Sequence, residues 1–121
     1  MPQLWPKKNS EDGWHADLNE ALTLPVPDGQ RSVQVMKHGS MSLRLYAPNK
    51  VDLQPPHDQD EVYIVARGKG WFVNGSHRHR FASGDALFVP AGVPHRFEEF
   101  RDELVIWVIF YGPQGGEAAL E

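Results

Sequence analysis

Ten prolines and eleven glycines punctuate this 121-residue chain along its whole length, and that spacing limits the fold more than any other feature. Proline blocks helix interiors and glycine serves turns, so long helices are excluded. From Arg31 onward short apolar runs recur between the turn signals: "SVQVMKH", "SMSLRLYAP", "EVYIVARG", "GWFVNG", "SHRHRF", "ALFVP", "HRFEEF" and "ELVIWVIFYG". They are rich in β-branched and aromatic residues and have strand length. Asn74-Gly75 is a hairpin signal that folds "GWFV" back on "SHRHRF". About eight strands with tight turns predict a sandwich or small barrel. The run Leu104 to Tyr111 is apolar on both faces and should be covered on both. Upstream, "SEDGWHADLNEA" can form one short helical turn with Ser10 or Asp12 as cap. The tail after Tyr111 is expected to be frayed or extended.

The length suits one domain that buries roughly two thirds of its unfolded surface. The chain has no cysteine, which removes disulfides, thiolate metal sites and cysteine nucleophiles together. This agrees with a reducing cytoplasm, the expected location. No apolar stretch has the length of a signal peptide or a membrane span. The formal net charge is −4 and no basic block occurs, so neither nucleic acid nor membrane is an expected partner.

"PPHDQDEVYIVARGKG" (55–70) sets a polar cluster directly against a strand that must be buried. Carboxylates in that position are costly unless something compensates them. Side chains alternate along a strand. A strand starting near His57 puts His57, Gln59, Glu61, Tyr63 and Val65 on one face, and Asp58 and Asp60 on the other. An imidazole, an amide and a carboxylate in succession are what a metal site at a barrel mouth needs. "GDALFVPAGVPHRFEEF" (84–100) repeats the theme, with His95, Phe97 and Glu99 on one face.

These two stretches resemble the two motifs of the cupin superfamily, in order and at the spacing of a small single-domain cupin. His57 matches the second histidine of the first motif, Glu61 its glutamate and Gly68 its closing glycine. Gly84, Pro90, Gly92 and His95 match the second motif. The resemblance covers roughly Met41 to Tyr111. It implies an all-β double-stranded β-helix, a jelly-roll-like barrel of two antiparallel sheets. The barrel is expected over residues 31–113. An N-terminal extended segment (1–30) would pack on it or on a dimer partner, and 114–121 would form a tail. The family shell of three imidazoles and one carboxylate is not complete here. Pro55 stands at the first histidine, and Glu99 where an asparagine often ends the second motif. The ligands implied are His57, Glu61 and His95, with Gln59 a candidate fourth. Two imidazoles and a carboxylate suit a divalent ion: iron, manganese, nickel or zinc.

The resemblance implies a metal-dependent small-molecule enzyme of dioxygenase, decarboxylase or isomerase type, with Tyr63 and Glu99 as candidate proton carriers. The alternative is a non-catalytic module that binds a small ligand in the barrel. A regulator is disfavoured, since a sensing cupin is usually fused to a DNA-binding domain. Small cupins commonly form homodimers, and Trp5, Trp14 and the last strand are candidate interface material. Trp71, Trp107 and Phe110 read as core or interface. In "SHRHR", His77 and His79 could chelate a second ion, but a solvated edge strand with charges against aggregation is the better reading. On the second strand either Arg44 and Tyr46, or Met41, Leu43 and Leu45, face inward; the Arg44 set would offer a cation and a phenol to an anionic or oxygen-rich ligand.

Overall fold

The computed structural model describes residues 14–52 and 54–118. Trp5, Ser10 and Asp12 lie outside the described residues. All eight anticipated strands are present: β1 (Val33–His38), β2 (Met41–Tyr46), β3 (Asp60–Arg67), β4 (Lys69–Asn74), β5 (His77–Ala82), β6 (Ala86–Val89), β7 (His95–Glu98) and β8 (Val105–Tyr111). One short helix, α1 (Leu18–Ala21), precedes them. Its cap is Asp17, whose carboxylate accepts the Glu20 backbone N–H at 2.9 Å. The strands form a five-stranded sheet of order β1-β2-β8-β3-β6 and a three-stranded sheet of order β5-β4-β7. Every pairing is antiparallel.

Two apolar clusters follow from the alternation of side chains. Between the sheets lie Tyr46, Tyr63, Phe72, Phe81, Phe97, Phe100, Leu104, Ile106 and Val108 with their neighbours. The rings of Phe72 and Phe97 meet at 4.7 Å, and Phe81 and Phe97 at 5.2 Å. Each such ring contributes about 1.5–3 kcal/mol by leaving water. The second cluster joins Ala21 and Leu24 to Val33, Val35, Leu45 and Val105 on the outer face of the larger sheet, with Trp107 packed against it. The last strand is thus central in its sheet and covered on both faces over its first half. As a central strand it offers no free edge for strand pairing.

The hairpin at Asn74-Gly75 turns one residue later than its sequence signal. Asn74 is still paired with His77, and Gly75, at φ +61°, opens the two-residue loop Gly75–Ser76. The tail is tied as far as Glu117. Gly115 N–H donates to Asp58 O at 2.6 Å, and Glu117 N–H to Asp60 Oδ2 at 2.8 Å. Asp60 also accepts Ala91 N–H at 2.9 Å. These two backbone donors hold the Asp60 carboxyl below its ordinary value. It points away from the barrel interior, as expected, and caps turns.

Among the described residues no helix is long and apolar enough to cross a membrane.

Candidate metal centre

Three elements converge at one end of the barrel. Glu61 stands near the start of β3, opposite Val89 of β6 and Phe110 of β8. Because β3 begins at Asp60 rather than at His57, His57 is presented by the preceding loop. That loop is fixed to the second motif. Gly92, in the left-handed region at φ +79°, donates its N–H to His57 O at 2.8 Å. The same turn, closed by Val93 N–H to Pro90 O, delivers His95 at the first position of β7.

His57, Glu61 and His95 each offer a ligand atom, and these atoms lie within 4.8 Å of one another. His95 Nε2 is 3.0 Å from Glu61 Oε1, and His57 Nε2 is 3.8 Å from the same oxygen. Glu61 is wholly buried and His95 is 5% exposed. Yet neither carboxylate oxygen of Glu61, nor His95 Nε2, has a hydrogen bond of acceptable alignment. The other ring nitrogen of His95, Nδ1, sits 2.8 Å from Val93 O. A carbonyl only accepts, so Nδ1 carries the proton. In the neutral ring the Nε2 lone pair then faces a carboxylate. Two electron-rich groups at that distance, out of water, require a cation between them: a proton or a metal ion.

The electrostatics agree. Burial is the largest single influence on His95 and would depress its pKa. The contact with Glu61, the Val93 carbonyl and the charge of Asp52 together outweigh burial, and the net shift is upward. At His57 burial wins over the attraction of Glu61, and the pKa falls, which favours the neutral, ligating ring.

Gln54 and Asp52, which sequence reasoning missed, complete the floor of the site. Gln54 Nε2 donates to Asp52 Oδ2 at 3.0 Å. This turns Gln54 Oε1 toward His57 Nε2 at 3.0 Å and the Tyr63 hydroxyl at 3.1 Å. Asp52 is buried and also accepts the Tyr46 hydroxyl and, at 2.8 Å, the Phe97 N–H. Tyr63 is fully buried with its ring 5.8 Å from that of His95. Burial, and then the charges of Glu61 and Asp52, hold its phenol well above the ordinary value. It is a hydrogen-bond donor here, not a base.

Two further candidates have other partners. Gln59 lines the same cavity, but its amide nitrogen is engaged, donating to Ser40 O at 3.2 Å and Gly112 O at 2.8 Å. Glu99 is exposed and paired with Arg78 at 2.6 Å, at the other end of the barrel. It cannot carry protons at this site. Its φ is +53°, a conformation asparagine tolerates better than glutamate. On β5, His77 and His79 are exposed and belong to no group of three metal-ligating side chains among the described residues. Trp71 is neither core nor shown at an interface; the guanidiniums of Arg78 and Arg80 lie 4.2 and 5.1 Å from its ring.

The cavity over the site has a volume of about 640 Å³. Pro55, Tyr46, Arg44, Val108 and Phe110 are among its walls. The Arg44 set of β2 is therefore the one that faces in, while Leu45 packs outward against α1.

Comparisons with known proteins agree with this architecture. The uncharacterised protein SCO3923 of Streptomyces coelicolor is 37% identical over 84 residues, which cover 68% of this chain and 80% of that protein. The HTH-type transcriptional activator RhaR of Yersinia pseudotuberculosis is 33% identical over 67 residues, 55% of this chain but only 23% of the regulator. A cupin-2 domain containing protein from Shewanella frigidimarina superposes with a TM-score of 0.66 at 18% identity, covering 86% of this chain and 100% of that one. The family model for the cupin domain matches residues 42–111, a span that includes every converging side chain, and with two facing antiparallel sheets around them this chain belongs to the cupin family.

Proposed function

We propose that this cupin holds a divalent metal ion through His57, Glu61 and His95 and acts on a small molecule in the cavity above it. The observation that carries the reading is the buried Glu61 carboxylate, without a well-aligned hydrogen bond and facing a histidine lone pair at 3.0 Å. Gln54 Oε1 supplies a fourth donor in place of the imidazole that Pro55 cannot provide. Metal–ligand bonds of about 2.0–2.2 Å set neighbouring ligand atoms roughly 3–3.5 Å apart. The sequence Gln54–His57–Glu61–His95 has spacings of 3.0, 3.8 and 3.0 Å. Iron(II), manganese, nickel and zinc all suit such an oxygen–nitrogen set.

When bound, the ion would act as a Lewis acid or activate water or dioxygen, which leaves dioxygenase, decarboxylase and isomerase types open. The chain's own residues do the rest. Val93 O fixes the tautomer of His95. Asp52 fixes the orientation of Gln54. The Tyr63 hydroxyl donates toward the site without losing its proton. Val108 and Phe110 exclude water from one wall.

A non-catalytic ligand-binding module is the second reading, favoured by the match to part of the activator RhaR. Metal analysis of purified protein separates occupancy from its absence. One ion per chain is expected, removed by chelation, restored by zinc or manganese, and lost in His57→Ala. Protein that never takes up an ion under either metal would refute the metal reading. Turnover of a bound compound supports the enzyme, whereas its unchanged recovery supports the module. Homodimerisation remains part of the proposal, and sedimentation at micromolar concentration tests it.

A further inference from the structure

The walls of the 640 Å³ cavity carry a charge pattern that the metal does not explain. Arg31, Lys37 and Arg44 line it, and among the described residues no aspartate or glutamate does. This occurs in a chain of net charge −4. Arg44 is the most constrained of the three. Its Nε donates to Ser32 Oγ at 2.6 Å, and its Nη2 to Gln30 Oε1 at 2.7 Å and Ser32 O at 2.8 Å. All three acceptors are neutral, and Nη1 is left without a partner among the described residues. Arg67, Arg78 and Arg96, by contrast, each pair with a carboxylate: Arg67 with Glu103, Arg78 with Glu98 and Glu99, Arg96 with Glu98. Burial pulls the Arg44 pKa down and nothing offsets it. A guanidinium held rigid, partly out of water and lacking a counter-charge is a binding group awaiting an anion.

The remaining walls say what kind of anion. Val108, Phe110 and Pro55 are apolar, and the Tyr46 ring stands beside them. A ligand with one charged end and an apolar body satisfies both. We infer that the cavity takes a small organic carboxylate, its carboxylate on Arg44 Nη1 with Arg31 and Lys37 supplying the surrounding field, and its body against Phe110 and Val108. This deepens the reading of the cavity as the ligand site, but it does not depend on the ion.

The test uses benzoate and benzamide, which share a shape and differ in charge, with inorganic phosphate as a third probe. Each is titrated by NMR into the full chain, both chelator-treated and zinc-loaded, following the Arg44 Nε–H signal. Benzoate is expected to shift that signal saturably in both forms and to bind at least about tenfold tighter than benzamide, the discrimination expected of one charge-assisted contact. Arg44→Gln should remove that preference, and Lys37→Gln, distant from the packed core, should weaken it by a smaller factor. Equal affinity for benzoate and benzamide, or no shift at Arg44 up to the solubility of either, would overturn the inference. So would phosphate binding more tightly than benzoate, which would mean that the charge alone is read. If benzoate binds only with zinc and is indifferent to Arg44→Gln, the carboxylate site fails while the metal reading stands. If benzoate binds through Arg44 in protein that never takes up an ion, the metal reading fails and the carboxylate site stands.

Discussion

The stability of the chelator-treated protein should pass through a maximum near pH 6.5, the ordinary histidine value, because the two site histidines are shifted in opposite directions. His95 has its pKa raised in the fold. Its stabilising contribution is fully present below the unfolded value and is lost as pH rises through the folded one. His57 has its pKa lowered. Stability on its account is present above the unfolded value and is lost as pH falls through the folded one. The steepest slope for one proton is about 1.4 kcal/mol per pH unit. At roughly 2.1 cal/mol/K of unfolding entropy per residue, a chain this long loses about 5 °C of melting temperature per pH unit on either limb. Glu61→Gln removes the charge that lifts His95 and partly supports His57. The variant should be flat above the maximum and steeper below it. Calorimetry in chelator from about pH 5.5 to 8.5, across the histidine range, measures both limbs. Saturating zinc should reverse the upper limb, since the ion replaces the proton and competes better as pH rises. A metal-free melting temperature that stays level or climbs above pH 6.5, or a variant that parallels the wild type there, would refute the account of a shared cation between Glu61 and His95.

Gly68→Ala should cost about 2–5 kcal/mol, read by denaturant unfolding. Gly68 sits at φ +110°, and a Cβ there would lie 2.8 Å from Glu103 O and 2.9 Å from Leu104 Cδ1, combining backbone strain with overpacking. Asp52→Ala strands the Phe97 N–H and releases the Gln54 amide; about 3 kcal/mol of stability should go, and zinc affinity, measured by competition with a chelating dye, should fall about tenfold as for other supports of ligands. Pro55→His places an imidazole on the cavity wall where the family carries one; zinc binding should tighten, and an unchanged affinity would mean that position 55 does not reach the ion.

The strands were legible because glycine and proline bracket each of them and because their side chains alternate. Asn74-Gly75 pointed to the right hairpin even though the turn falls on Gly75–Ser76. His57, Glu61 and His95 could be named because motif spacing fixes them relative to turns. Gln54 could not. It lies in a proline-containing loop with no periodicity, and its role depends on Asp52, itself held by the Tyr46 hydroxyl and by the Phe97 N–H of the distant β7. Gln59 looked better by alternation, but β3 starts three residues after His57, so alternation does not extend back through it. Which set of β2 faced inward was undetermined, because Arg44 and Tyr46 can line a polar pocket as readily as Met41, Leu43 and Leu45 can fill an apolar core. The cover that α1 and Leu24 provide over Leu45, and the place of Arg44 and Tyr46 in the cavity wall, decide it.

The stack of Phe72, Phe81 and Phe97 across the middle of the barrel makes the interior a well rather than a tunnel. The hollow at the opposite end shares no wall residue with the one above Glu61. A compound in the hollow above the histidines is therefore separated from the other hollow by packed rings. Gln30, Arg31 and Ser32 line the hollow above the histidines, and Gln30 and Ser32 also hold Arg44, so a change of bulk there would alter passage and the seating of a ligand together.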